Sequence, residues 1–240
     1  MSVAALFMST LAAVAAGQDV HMDSFEDDPL GSFPAGWTSR FGGGGTEVGS
    51  GFVSEGDHSL RMVGLPLSAN ENYTNAKFSF SGGMVTLACS ILVEEFPQNS
   101  DGCAGASVGY HGPNWNASFG LTQSAAAGPL MISGTDIEAV TGRWYRFLLV
   151  ADVDSGIGDL YVDGELVRGG FVLDSQSNPG DVRHLSVSIH SGCINTGQVI
   201  SHFDALRIQG KQCLADMNGD DILDLNDVTG FVSAFLAGCP

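Results

Sequence analysis

Trp144-Tyr-Arg-Phe-Leu-Leu-Val-Ala-Asp-Val-Asp-Ser-Gly-Ile-Gly-Asp-Leu-Tyr-Val-Asp-Gly-Glu-Leu-Val167 reads as three short strands joined by two tight turns. Residues 144–153, 158–162 and 165–167 fit the period-two pattern of half-buried strands. A hairpin over Asp154–Ile157 joins the first two, and Asp163-Gly164 is a two-residue hairpin signal between the second and third. The stretch also holds Asp152, Asp154 and Asp163 at positions 1, 3 and 12 of a twelve-residue loop, the spacing of a calcium-binding hand. Gly156 at position 5 and Leu160 at position 9 break that ligand set, and the flanks read as strands. The double hairpin is the better account.

The same texture extends outward. Ser59–Val63, Ala76–Phe80, Met84–Val93, Ala104–Tyr110, His184–His190 and His202–Ile208 all fit alternating strands. In His184–His190, Leu185, Val187 and Ile189 take one face and His184, Ser186, Ser188 and His190 the other. His184 and His190 lie six residues apart, about 20 Å along a strand, too far to ligate one metal together. Nothing up to about Gln209 sustains helical spacing, and the chain has 33 glycines. The fold expected is all-β, an antiparallel jelly-roll sandwich with a small C-terminal loop–helix motif.

Both ends differ from this middle. Residues 1–18 (MSVAALFMSTLAAVAAGQ) carry no charge, an apolar run and a small-residue exit, so they read as a secretory signal peptide. After Gln209-Gly210-Lys211-Gln212, Val228, Phe231, Val232, Phe235 and Leu236 form one helical stripe. The expected division is therefore 1–18 signal, 19–209 β-sandwich and 210–240 C-terminal motif.

Lys and Arg number 9 against 27 Asp and Glu, a formal charge of −18. That surface repels phosphate backbones and anionic lipid, which excludes nucleic acid as a partner. No apolar run beyond the signal is long enough to span a bilayer, so no membrane insertion is expected after cleavage. Five cysteines in an exported chain favour disulfides with one thiol left over. Cys213 and Cys239 bracket the C-terminal motif and are the first pair to expect; Cys89 falls on the apolar face of its strand and reads as a buried hydrophobe.

Asp216-Met-Asn-Gly-Asp-Asp-Ile-Leu-Asp-Leu-Asn-Asp227 places oxygen ligands at loop positions 1, 3, 5, 9 and 12: Asp216, Asn218, Asp220, Asp224 and Asp227. Ile222 at position 7 supplies its backbone carbonyl. Six to eight hard oxygens around one point is what Ca²⁺ requires. The loop, its following helix and the Ala237-Gly238-Cys239 end resemble a bacterial GC-type dockerin-like anchor with a single EF-hand-type calcium loop. That resemblance implies bound Ca²⁺ and a cohesin-like or cell-surface protein partner. Asp221 replaces the usual position-6 Gly, and one repeat stands where cohesin-binding dockerins normally carry two.

The opening stretch, with Gly158–Gly164 as its GDLYVDG portion, resembles the signature of laminin-G-like and concanavalin-A-like sandwiches; Ser54–Arg61 resembles their early turn and strand. The resemblance implies secreted recognition, of extracellular polysaccharide above all, or glycan hydrolysis. Glycanases of this fold resemble a Glu-x-Asp-x-x-Glu strand that aims paired carboxylates into a cleft. Glu55-Gly-Asp57 has two members of that pattern, but Leu60 stands at the third. Non-catalytic binding is the leading expectation; a jelly-roll hydrolase or lyase and a structural cell-surface protein are the alternatives. Tyr110-His111-Gly-Pro-Asn114-Trp115 reads as a loop with two aromatics for stacking on a sugar ring, or as a loop packed on itself. Glu26 and Asp204 resemble the early Glu and late Asp of β-sandwich carbohydrate modules, which implies a second calcium; ordinary surface carboxylates are the other reading.

Overall fold

A computed structural model describes residues 18–37, 45–64, 74–78, 84–95, 104–111, 115–123, 128–152, 155–175, 185–193 and 199–210, with Leu225, Val228, Thr229, Val232 and Ser233 near the C-terminus. The strands are β1 (Gln18–Asp23), β2 (Thr46–Gly49), β3 (Ser59–Gly64), β4 (Thr74–Phe78), β5 (Met84–Glu95), β6 (Ala104–His111) and β7 (Trp115–Gln123). They continue as β8 (Met131–Ile132), β9 (Tyr145–Asp152), β10 (Ile157–Val162), β11 (Glu165–Val172), β12 (Asp174–Ser175), β13 (Leu185–Cys193) and β14 (Val199–Gly210). An eight-stranded sheet runs β11-β10-β9-β5-β14-β3-β2, with β1 also on β14; a six-stranded sheet runs β12-β7-β6-β13-β4, with β8 on β7. The chain is an antiparallel jelly-roll sandwich, all-β among the described residues up to Gly210. β1 takes in Gln18, the last residue of the expected signal segment.

The opening stretch folds as its chemistry dictates. On β9, Tyr145, Phe147, Leu149 and Ala151 are buried while Arg146 is exposed. β10 pairs back on β9, and Gly156 N–H donates to the Asp152 carbonyl at 2.8 Å to close that hairpin. Asp163 and Gly164 both take positive φ, 52° and 86°, as the two-residue turn into β11 requires. Asp163 is spent on the protein itself: Oδ2 meets Arg143 at 2.7 Å and Oδ1 accepts Arg146 N–H.

The core lies between the sheets. Phe119 from β7 and Phe147 from β9 stack at 5.5 Å across the interface. Leu60, Met62, Leu87, Ile91, Leu121, Leu149 and Phe203 are also buried. Each such side chain contributes about 1.5–3 kcal/mol by leaving water. β5 alternates in its first half but is buried on both faces from Cys89 to Val93. The second cover is the segment before β3: Phe52 lies 4.8 Å from the His202 ring and Ser54 Oγ bonds Ser90 Oγ at 3.0 Å.

At the C-terminus the described positions are helical, and Thr229 Oγ donates to the Leu225 carbonyl at 2.8 Å. Leu225, Val228 and Val232 are exposed. Asp216, Asn218, Asp220, Ile222, Asp224, Asp227, Cys213 and Cys239 lie outside the described residues.

Candidate functional site

Register builds a polar surface on the six-stranded sheet. Ala106 and Val108 of β6 and Phe119 and Leu121 of β7 face the core. Period two therefore assigns the positions between them to the opposite, outer face. Cross-strand pairing then aligns Asp174, Asn116, His111, Ser186 and Lys77 as one row over β12, β7, β6, β13 and β4. The next row is Ser118, Gly109, Ser188 and Asn75, followed by Gly120, Ser107 and His190. Four strand spacings make the first row about 19 Å long. Every position in these rows is polar or glycine in the sequence.

The four residues expected as an aromatic loop are arranged differently. Tyr110 and His111 end β6 and Trp115 begins β7, so the connection shrinks to residues 112–114, and Asn114 lies outside the described residues. Tyr110 pairs with Ala117 and Val187, and Trp115 with Ser175. By register His111 belongs to the outer polar row, while Tyr110 and Trp115 take the parity of Val108 and Phe119. The cause is strand alternation, which carries on through sequence that reads as a loop. Asn116, Ser186 and Lys77, which complete the row, are not among the residues the sequence reading singles out.

Glu26 and Asp204 converge on one segment, Ser54–His58. Asp204 is fully buried; Oδ2 accepts N–H from Ser54 at 2.7 Å and Glu55 at 2.9 Å, and Oδ1 from Ala205 at 2.6 Å. Glu26 Oε1 accepts from Asp57 and His58, each at 3.0 Å, and Oε2 from Asp57 at 3.1 Å. Burial pushes the Asp204 carboxyl above its ordinary pKa, against the pull of those amides, and the Glu26 charge adds to the rise. The carboxylate oxygens that would ligate Ca²⁺ here accept backbone amides instead. This geometry suits pinning of the loop. Glu55 and Asp57 themselves sit in this loop and not on a strand, so they form no strand-borne catalytic pair.

Buried His202 pairs with half-buried Glu94, with Nε2 2.8 Å from Oε2. Nδ1 of His202 is buried with no hydrogen-bond partner among the described residues, which fits a neutral ring donating from Nε2. Burial holds this imidazole below its ordinary pKa, outweighing the upward pull of Glu94. Phe52 over the ring makes it part of the sheet's outer packing.

No family model matches the chain, and no curated protein matches it. Solved structures do. The cellulose-induced protein Cip1 is similar over 80% of this chain and 97% of its own, at 14% identity and a TM-score of 0.53. A carbohydrate esterase from the Shiga toxin-encoding bacteriophage phi24B is similar over 82% of this chain and 100% of its own, at 13% identity and 0.56. A sialidase is similar over 92% of this chain at 11% identity and 0.55, but the chain spans only 21% of that protein. At these identities the likeness establishes the jelly-roll fold.

Proposed function

We propose that the protein is an exported, non-catalytic module that binds polysaccharide along the outer face of its six-stranded sheet. The polar row Asp174–Asn116–His111–Ser186–Lys77 carries this reading. Sugar hydroxyls both donate and accept, so a row mixing carboxylate, amide, imidazole, hydroxyl and ammonium chemistry matches them. Its length suits several consecutive sugar rings over a single small ligand. Similar folds in a cellulose-induced protein and a carbohydrate esterase support the ligand class. The absence of Glu-x-Asp-x-x-Glu from the sequence supports binding without turnover.

The test is a titration against a panel of soluble neutral polysaccharides by calorimetry, with product release measured in parallel. Binding without released sugar is expected, and Asn116→Ala should weaken it about five- to tenfold, the worth of one hydrogen bond. A panel without binding, or an Asn116→Ala variant of unchanged affinity, would remove this face from the function.

The C-terminal segment has a separate role in this proposal: Ca²⁺ folds the Asp216–Asp227 loop, and the ordered helix docks a protein partner at the cell surface. The spacing of Asp216, Asn218, Asp220, Asp224 and Asp227 supports it.

A further inference from the structure

We propose a second ligand site, on the outer face of the eight-stranded sheet, that binds one carboxylate-bearing sugar ring through Arg146 and Arg207. A cavity of about 230 Å³ opens there, away from the polar rows of the other sheet. Its floor is half-buried Ala88 of β5, with Ser90, covered by Ser54, at its margin. Arg146 of β9 pairs with Ser90, and Arg207 of β14 pairs with Ala88 on the other side. Two strand spacings and a two-residue offset set their Cα atoms about 12 Å apart, so the two arginines flank the floor. A register shift in β14 between Asp204 and Arg207, with Ala205 at φ 51°, shapes the wall on that side. The loop at Glu55 and the Asp23-Ser24 corner complete the lining.

The charges decide the ligand. Arg61 is paired with Glu47, Arg143 with Asp163, and Arg168 lies over Phe171. Neither the Arg146 nor the Arg207 guanidinium has an ion pair or ring contact among the described residues, and both line this one cavity. In a chain of charge −18, these two guanidinia, without such partners among the described residues, lie beside one cavity. A guanidinium fork matches a carboxylate bidentately. The surrounding negative field opposes a polyanion, so the occupant carries a single acidic group. Of the two lining carboxylates, Asp23 is already committed to Phe25 N–H and Trp37 Nε1–H. Glu55 is exposed and left to accept from ligand hydroxyls, which selects a hydroxylated acid over a bare inorganic anion. The volume is below the ~300–1,000 Å³ of drug-sized sites and suits one ring. A uronate end or branch meets all four conditions. This site is independent of the polysaccharide face.

The experiment titrates the full chain with glucuronate, glucose and sulfate at low ionic strength, following amide shifts by NMR. Glucuronate should move resonances of residues 88–90, 146 and 205–207, with glucose and sulfate each at least about tenfold weaker. Arg146→Gln and Arg207→Gln should each weaken glucuronate about tenfold, the worth of a charge-assisted hydrogen bond. Arg207→Lys should recover only part, since lysine keeps the charge without the fork. Both side chains are exposed, so the unfolding midpoint should stay unchanged. Neutral-polysaccharide binding should survive both substitutions, separating this site from the other face. No glucuronate response, equal binding of sulfate, or equal binding by the Arg146→Gln/Arg207→Gln double variant would overturn the proposal.

Discussion

Gly56 sits at φ +67°, and a Cβ there would collide with the Glu26 carboxylate. A side chain at this positive φ is strained, and its Cβ would push the Glu26 carboxylate off the amides it accepts from. Gly56→Ala should destabilise the domain by about 1–3 kcal/mol through backbone strain and a displaced Glu26. Urea unfolding reads this directly; an unchanged midpoint would mean that the anchor yields freely. His202 makes a pH prediction. Burial lowers its pKa from 6.5 in the fold, so below that pH the unfolded chain takes up a proton that the folded chain resists. Stability should be full above about pH 6.5 and fall as pH drops through the folded pKa. His202→Gln should flatten that slope in unfolding curves at pH 7.5, 6 and 5, and a slope equal to wild type would assign the effect elsewhere. Cys89 is a buried free thiol, and desolvation raises its pKa far above the usual thiol range. Mapped thiol labelling should leave it untouched in the native state and modify it after denaturation.

Among the elements, β14 has the most to hold together. It pairs with β3 over Val199–Phe203, with β1 over Leu206–Gly210, and with β5 along its length. The shift after Asp204 re-aims the strand between its two partners on that edge, as bulges do. Phe203, just before it, is fully buried in the core. Phe203→Ala should therefore cost about 3–5 kcal/mol by leaving a cavity beneath three strands. Val172 ends β11 at the sheet edge with 65% exposure, and Val172→Ala should stay within about 0.5 kcal/mol. Comparable losses at the two positions, measured by thermal unfolding, would contradict the core assigned here.

At the scale of the whole molecule, the predicted division is a self-sufficient sandwich and a Ca²⁺-dependent appendage. Four aspartate ligands within twelve residues repel one another without an ion. Adding Ca²⁺ to the full chain should raise helical circular dichroism, and Asp216→Ala or Asp227→Ala should remove that gain while the β-sheet signal stays. A wild-type chain with no calcium response would leave the C-terminal segment without its proposed role.

The sequence by itself determined the sandwich class, because burying one face of a strand writes a period of two into its residues. β3, β5, β6, β9, β10, β13 and β14 were legible in this way, with ends displaced by a few residues. So was the Asp163-Gly164 turn, whose positive φ values demand those residue types. β7 was not, because glycine and asparagine interrupt its pattern; nor were β1 and β2, which lie at the margins of their sheet and carry polar residues. Glu26 and Asp204 could be singled out, but what they meet could not: amides of Ser54–His58, some 30 residues from one and 150 from the other. The polar row also belongs to tertiary structure alone. Asn116, Ser186 and Lys77 become neighbours only when strands distant in sequence pair in register. Local sequence encodes which face of a strand is wet, because that depends on neighbours two residues away; which wet faces lie side by side depends on pairing between segments the chain separates by up to about a hundred residues.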